Sequence, residues 1–371
     1  MAEGMKFDEA ANGSPFSPDY LTARERFRAI TLERGFRLKS FPIGLTGPNG
    51  EDLSIDAAIL GSETPGRAWV VSSGLHGVEG FFGSAVQSHW LISGFRGWSI
   101  QHDEAIVFLH GLDPFGFAWL RRFDENNVDL NRNFVIDQRG YSGCDPLYAR
   151  LDTLLNPQGP PRLFDFFQLR ATAAIVRHGQ NRVKSAIAQG QYEYPRGLFY
   201  GGHEPSRVHQ LLAENLPRWL GEARSILHTD FHTGLGVSGS YKILLESDVP
   251  RDRVEWACEI FGEDRVEFWD ATGISYETRG DLGTWCRSNF PHCAYDMHCA
   301  EFGTYPSLRV ITALRAENQA HHWLESGHST RARTKRELME VFVPADSAWR
   351  RSVVALGVDI LDRSLAAAFP R

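Results

Sequence analysis

The alternation of apolar strands with helical segments is the feature that most constrains the fold of this chain. Apolar runs typical of buried strands lie at 68–71, 104–110, 225–231, 241–245 and 294–300. Helix-prone stretches stand between them, and residues 41–60 have the pattern of a hairpin. Strands that alternate with helices form a sheet that is covered on both faces. We therefore predict an α/β fold with three α/β/α layers around a central, mixed, mostly parallel, twisted sheet.

The organisation of the chain is expected to be simple. The 371 residues contain no repeat, low-complexity tract or linker, so we predict one domain over 1–371 with a core at about 40–330. An insertion at about 146–223 should be helical, with long helices over about 163–192 and 206–221. The C-terminus should also be helical, over about 331–371.

Composition argues against several classes of partner. Hydrophobic residues make up 42% and charged residues 23%, which is ordinary for a soluble globular protein. The formal charge of -7 comes without a basic stripe, so we expect no nucleic-acid partner. No apolar run approaches the roughly 18 residues of a membrane span, so we expect no membrane segment. The five thinly spread cysteines favour reduced thiols and a cytoplasmic location, while the oligomeric state stays open.

Polar residues with metal-binding chemistry follow three of the predicted strands. His76 and Glu79 follow the first strand, and His232 and Glu301 follow two later ones. For the first pair alone, a turn cap and a helix-opening acid are the simpler explanation. The carboxyl ends of parallel strands, however, meet at one edge of the sheet, where ligands bind. A catalytic Zn²⁺ takes three protein ligands and keeps one position open, and His76, Glu79 and His232 have the right chemistry.

The remaining polar residues suggest the rest of a hydrolytic site. Glu301 is a carboxylate that need not bind metal, and it has the chemistry of the base that zinc-assisted attack of water requires. Arg121 or Arg122 could stabilise a developing oxyanion. Asn131 and Arg132 could hold a substrate carboxylate, because a guanidinium binds that group bidentately.

Five motifs resemble, in the same order, those of the carboxypeptidase A-like zinc hydrolases, which include aspartoacylase and succinylglutamate desuccinylase. The resemblance covers about residues 66–305, and its motifs are His76-x-x-Glu79, Asp113-Pro-x-Gly116, Arg122 with Val128-Asp-Leu-Asn-Arg-Asn133, Asp230-Phe-His232 and Glu301-Phe-Gly303. It implies a zinc carboxypeptidase-like fold and one Zn²⁺ per chain on the three ligands named above.

The resemblance also implies roles for the other residues. Glu301 would be the general base, and Arg122 would polarise the substrate carbonyl. Asn131 and Arg132 would grip the substrate carboxylate, and Asp129 would orient a ligand histidine, His76. The substrate-capping tyrosine of the family has no strong motif, and Tyr276 stands at a plausible spacing for it.

Two departures accompany these matches. The family usually has Asn where Asp113 stands, although the two residues have similar turn chemistry. About a hundred residues separate Asn131 from His232, which resembles an insertion that covers or shapes the cleft.

Other histidines and cysteines have simpler explanations. Four that resemble metal ligands, His292, Cys293, His298 and Cys299, lie along one predicted strand and alternate between its faces. We interpret them as core thiols and satisfied histidines, and we interpret His228 as structural.

The sequence thus predicts a zinc hydrolase that cleaves an amide or peptide bond next to a carboxylate. A metallocarboxypeptidase-like activity is the main hypothesis, with a peptide or an N-acyl amino acid as substrate. An N-acyl amino-acid deacylase is the alternative within enzymes. A metal-free binding module is the rival from another class, and the intact ligands, base and arginine argue against it.

Overall fold

A computed structural model describes residues 14–95, 99–137, 140–162, 165–246, 248–268 and 278–371. Its strands are β1 Arg37–Thr46, β2 Asp52–Gly61, β3 Arg67–Ser73, β4 Glu104–His110, β5 Ser225–Ser238, β6 Tyr241–Leu245, β7 Val266–Phe268 and β8 Ala294–Gly303. Its helices are α1 Tyr20–Glu33, α2 Gly80–Ser93, α3 Pro114–Trp119, α4 Pro146–Leu155, α5 Phe167–His178, α6 Gln180–Ala188, α7 Arg207–Leu220, α8 Arg251–Phe261, α9 Leu282–Asn289, α10 Ser307–Trp323, α11 Ser329–Phe342 and α12 Ser347–Ala368.

One eight-stranded sheet organises the described chain, with the strand order β1-β2-β4-β3-β5-β8-β6-β7. The central strands β4, β3, β5 and β8 are parallel to one another. Strands β1 and β2 and strand β6 add antiparallel pairings on either side, and β7 pairs parallel to β6. The predicted α/β class with a mixed sheet that is parallel at its centre is therefore confirmed.

The central strands are apolar because helices cover both faces of the sheet. In β3, Trp69 and Val71 join a core shared with α1, α2, α8, α10, α11 and α12. Ala68 and Val70 point the opposite way, into a second core that includes residues of α7 and α9. Complete burial of a large apolar side chain contributes about 1.5–3 kcal/mol. Because β3 has apolar side chains on both faces, a layer of helices is stabilised on each side of the sheet.

The first elements follow the local sequence signals. Asp19 begins α1 by accepting a hydrogen bond from the Thr22 N–H at 2.7 Å. The hairpin of β1 and β2 turns at Gly50, whose φ of +83° suits glycine. The hairpin prediction over 41–60 is confirmed, with β1 beginning earlier, at Arg37.

The helical insertion differs from its prediction in one respect. A single long helix over 163–192 is wrong: α5 ends at His178, and α6 begins at Gln180. Gly179 between them has a φ of +86°, a conformation that interrupts a helix. Helices α4 and α7 lie where a helical insertion was expected, and α11 and α12 form the expected helical C-terminus.

None of the helices in the described segments combines the length and the apolar character that crossing a lipid bilayer requires.

Candidate metal centre

The turn after β3 brings the first two ligand residues together. His76 precedes a short 3-10 turn, Gly77–Glu79, which leads directly into α2. A Cβ atom on Gly77 would lie 2.1 Å from the backbone carbonyl carbon of Gly116, so only glycine allows this close approach. The Val78 N–H donates to the Arg121 carbonyl at 2.7 Å, which fastens the ligand turn to the segment that carries the arginines.

Strand register brings the other two predicted residues to the same edge of the sheet. Strand β3 pairs with β5, and the last residue of β3, Ser73, lies opposite Phe231 of β5. On the other side of β5, His232 lies directly opposite Glu301 of β8. Strand β3 ends at this edge, as predicted, whereas β5 and β8 continue beyond His232 and Glu301, to Ser238 and Gly303. Parallel pairing nevertheless brings these residues together although they are far apart in sequence.

The ligand atoms of His76, Glu79 and His232 form a compact triangle. His76 Nδ1 lies 3.0 Å from Glu79 Oε1 and 3.2 Å from His232 Nδ1. His232 Nδ1 lies 3.2 Å from Glu79 Oε2. Ligands about 2.0–2.2 Å from one tetrahedral ion would stand roughly 3.3–3.5 Å apart, so this donor set fits Zn²⁺ with little adjustment. It is the one such group of His, Cys, Asp and Glu found within the described residues.

Each ligand histidine has a carboxylate at its other ring nitrogen. His76 Nε2 lies 3.2 Å from Asp129 Oδ1, and His232 Nε2 lies 2.6 Å from Asp230 Oδ2. Asp230 can hold the proton of His232 on Nε2, so that the Nδ1 lone pair of His232 faces the ligand triangle. His76 Nε2 also lies 2.8 Å from Arg122 Nη2, a group that can only donate. A carboxylate that fixes the tautomer in this way is the usual support for a metal-bound histidine.

Electrostatics keeps this buried cluster ionised. Burial alone would raise the pKa of Glu79, but the charges and hydrogen bonds of His76 and His232 outweigh it and lower that pKa. Burial opposes protonation of His232, yet Asp230 and Glu79 raise its pKa well above the ordinary value. Likewise, Arg122 and His76 overcome the burial of Asp129 and hold its pKa well below the ordinary value. Protonated His232 supplies positive charge next to the buried carboxylates, and a bound metal ion would supply that charge instead.

Glu301 has the opposite character. Its side chain is buried, and its Oε1 accepts a hydrogen bond from the Leu235 N–H at 2.8 Å. Burial and then repulsion from Glu79 raise the pKa of Glu301 from 4.5 to about 7. A carboxylate with a pKa near neutrality can both take and return a proton at physiological pH.

The two adjacent arginines are clearly distinguished. Arg122 reaches the ligand cluster, with Nη1 3.0 Å from Glu79 Oε1 and Nε 3.1 Å from Asp129 Oδ2. Arg121 turns away into the interior, where its Nε donates to Glu317 at 3.1 Å. Of the two candidates for oxyanion stabilisation, Arg122 therefore has the position and Arg121 has a structural ion pair.

The Asn131–Arg132 pair lies beside the cluster, but its described contacts go to the protein. Asn131 Oδ1 accepts a hydrogen bond from the Leu282 N–H at 3.1 Å, at the start of α9. Arg132 is fully buried and donates from Nε to the Ala188 carbonyl at 2.8 Å, at the end of α6. The ring of Phe199 links the two sites, because its centroid lies 5.5 Å from Arg122 Cζ and 5.9 Å from Arg132 Cζ. Arg132 thus fastens the helical insertion beside the metal centre.

Three further predictions can be placed. Tyr276 lies outside the described residues. His298 and Cys299 are buried in β8, but His298 Nδ1 has no hydrogen-bond partner among the described residues, so the interpretation of this histidine as satisfied is wrong. His292 and Cys293 precede β8 and are not fully buried, so the prediction that all four lie along one strand is also wrong. Asp113 accepts a hydrogen bond from the Gly116 N–H at 2.8 Å and caps α3, as its turn chemistry indicates.

Sequence reasoning missed the role of Asp230 at His232. The signal was present, because residues two apart on a strand face the same way. It also missed the aromatic surroundings of Arg122, formed by Phe199 and Phe342. No sequence pattern connects these three residues, since they come from separate segments.

Residues 16–356 match the model of a family described as "Protein of unknown function (DUF2817)", whereas no curated protein matches. Similar solved structures include carboxypeptidase A from Helicoverpa armigera, with 11% sequence identity over 91% of this chain and 73% of that chain, at a TM-score of 0.43.

Two other similar solved structures are those of aspartoacylase-type proteins. An aspartoacylase family protein from Mesorhizobium loti has 11% identity over 77% of this chain and 66% of its own, at a TM-score of 0.35. A succinylglutamate desuccinylase/aspartoacylase from Rhodobacter sphaeroides has 13% identity over 82% and 63%, at a TM-score of 0.36. The family match extends over most of the sequence, and the chain therefore belongs to the DUF2817 family.

Proposed function

We propose that this protein is a zinc-dependent hydrolase that cleaves an amide or peptide bond next to a carboxylate. One Zn²⁺ per chain would be held by His76, Glu79 and His232. The observation that carries the proposal is the ligand triangle with edges of 3.0 to 3.2 Å, opposite which β8 presents the buried Glu301. When bound, such an ion acts as a Lewis acid that activates water and polarises a carbonyl.

Glu301 moves the proton in the proposed reaction. Its Oε1 is held by the Leu235 N–H, so we assign proton transfer to Oε2. The attacking water gives one proton to this oxygen as its own oxygen bonds to the carbonyl carbon. The same proton then passes to the leaving nitrogen as the carbon–nitrogen bond breaks, and the products are a carboxylic acid and an amine. A base of this kind accelerates a reaction by about 10²–10⁴-fold.

Arg122 supplies positive charge where the carbonyl oxygen becomes negative. Its guanidinium is buried and lies 5.5 Å and 6.0 Å from the ring centroids of Phe199 and Phe342. A fixed charge in such a dry setting stabilises an oxyanion more strongly than it would in water. Its present contacts with Glu79 and Asp129 keep it beside the ligands before a substrate arrives.

Asn131 and Arg132 are proposed to recognise the substrate carboxylate, as the family resemblance implies. Support comes from the position of Arg132 next to Arg122 across the Phe199 ring. Peptides and N-acyl amino acids both carry a carboxylate beside the scissile amide. We favour a carboxypeptidase-like activity, and the deacylase differs from it in the acyl group that the cleft accepts.

A substrate panel tests the proposal on the zinc-loaded protein. It contains peptides with free C-termini, the same peptides with amidated C-termini, and N-acyl amino acids. We expect hydrolysis of substrates with a free carboxylate only, and loss of hydrolysis in Glu301→Gln. Glu246→Gln is the matched control, because Glu246 is also a buried carboxylate whose pKa is raised, chiefly by burial, to about 7. Absence of any hydrolysis, or equal activity in Glu301→Gln, would remove the proposal.

A further inference from the structure

A chain of buried polar side chains continues from the metal centre into the sheet. Asp230, which holds His232 through Oδ2, accepts a second hydrogen bond at Oδ1 from Ser72 Oγ at 2.6 Å. Ser72 Oγ lies 2.7 Å from His228 Nε2, and His228 Nδ1 lies 2.9 Å from the Tyr295 hydroxyl. The chain therefore crosses three neighbouring strands, β5, β3 and β8.

Proton counting fixes the direction of every link. Ser72 has one hydroxyl proton, which it donates to Asp230, so its oxygen must accept from His228 Nε2–H. His228 then carries its proton on Nε2, and its Nδ1 accepts from the Tyr295 hydroxyl. Burial lowers the pKa of His228 to about 4, which agrees with a neutral ring that has one donor and one acceptor.

In each of these hydrogen bonds the donor is on the Tyr295 side and the acceptor is on the Asp230 side, so the chain of donors ends at Asp230. Ser72, His228 and Asp230 have no exposed surface, and Tyr295 is 4% exposed. In such a setting a polar group that loses its hydrogen-bond partner cannot turn to water instead, so the links constrain one another. Asp230 is the single acceptor-only member, and its two oxygens join the chain to the ligand histidine.

We propose that Ser72, His228 and Tyr295 are positioning residues that act through Asp230 to orient His232 and set the affinity of the metal centre for zinc. This inference rests on the proposed function, since it takes the ligand triangle to be a zinc site. With Ser72 donating to Oδ1, the Asp230 carboxylate presents Oδ2 to His232 Nε2–H and so directs Nδ1 towards the other ligands. Without the hydrogen bond from Ser72, the Asp230 carboxylate can rotate. Both the tautomer and the ring orientation of His232 are then less restricted.

Zinc affinity of the folded protein is the readout, measured by competition with a chromophoric chelator. Partners that support a metal ligand from behind typically change affinity by about 10–100-fold. We expect Ser72→Ala to weaken zinc binding within that range and Tyr295→Phe to weaken it less, because Tyr295 is two links further away. Ser72→Thr, which keeps the hydroxyl, should restore most of the affinity. In the cobalt-loaded protein, the visible absorption bands should shift more in Ser72→Ala than in Tyr295→Phe.

Ser73→Ala is the matched control. Ser73 is the next residue on the same strand and is equally buried, but its hydroxyl donates to Gln87 Oε1 at 3.1 Å, away from the ligand histidine. Its zinc affinity and cobalt spectrum should equal those of the wild type, whatever happens to its melting temperature.

The outcomes separate the inference from the function on which it rests. Wild-type affinity in both Ser72→Ala and Tyr295→Phe would overturn the positioning role and leave the zinc site intact. An equal loss in Ser73→Ala would also overturn it, because the effect would then be general to the strand. A wild-type protein that binds no zinc would defeat the proposed function itself.

Discussion

Replacing Glu301 by Gln should change how the stability of the metal-free protein depends on pH. The pKa of Glu301 is raised from 4.5 to about 7, first by burial and then by repulsion from Glu79. The folded state therefore holds this proton more tightly than the unfolded chain does. The resulting stability is fully present below pH 4.5 and is lost as pH rises through 7.

The size of the effect follows from the shift. A rise of the pKa from 4.5 to about 7 corresponds to about 3 kcal/mol in the limit, most of which is lost between pH 5 and pH 8. An amide at this position does not titrate in that interval, and its oxygen can still accept the Leu235 N–H. Relative to the wild type, Glu301→Gln should gain about 2–3 kcal/mol of unfolding free energy on going from pH 5 to pH 8.

Urea unfolding of both proteins at the two pH values, with a chelator present, measures this difference. Titrating groups that do not interact with Glu301 contribute equally to both proteins and cancel in the comparison. Saturating Zn²⁺ should abolish most of the difference, because a dication nearby favours the ionised carboxylate. A stability difference that is the same at pH 5 and pH 8 would refute the argument that Glu301 is a buried carboxyl beside Glu79.

Three further predictions concern the surroundings of the site. Because the raised pKa of His232 keeps it protonated at pH 7, zinc binding should release about one proton and weaken about tenfold for each unit that pH falls, as calorimetry in two buffers would show. Arg121→Met should leave the buried Glu317 with Lys335, 3.6 Å away, as its remaining cation and cost up to about 3–5 kcal/mol of unfolding free energy, with little change in zinc affinity. Arg122→Ala should instead keep its zinc and lose about 10²–10³-fold in kcat, and an unchanged kcat would assign the oxyanion role elsewhere.

Local patterns were sufficient to predict the elements that present the ligands. The apolar runs before His76, His232 and Glu301 specify buried strands, and parallel pairing then places their ends together. The choice of Arg122 over Arg121 could not be made from local pattern, since both follow the same turn. It depends on Glu317, which comes from α10 and neutralises the first arginine.

Contacts between distant segments account for the remaining differences. The helix breaks at Gly179 because this residue adopts a positive φ of +86°. Helix propensity alone does not predict that conformation. The burial of Arg132 depends on the carbonyl of Ala188 at the end of the insertion, which no spacing in the sequence reveals. Likewise, strand alternation led to the interpretation of His228 as structural, but its links to Ser72 and Tyr295 require the register of three strands.

The zinc content of the purified protein and two variants tests the central claim most directly. The account predicts about one Zn²⁺ per chain in the wild type and in His203→Ala, a control whose side chain is 76% exposed. It predicts no bound zinc in His232→Ala, with the fold retained by circular dichroism. Full zinc retention in His232→Ala would contradict the assignment of His76, Glu79 and His232 as the metal centre.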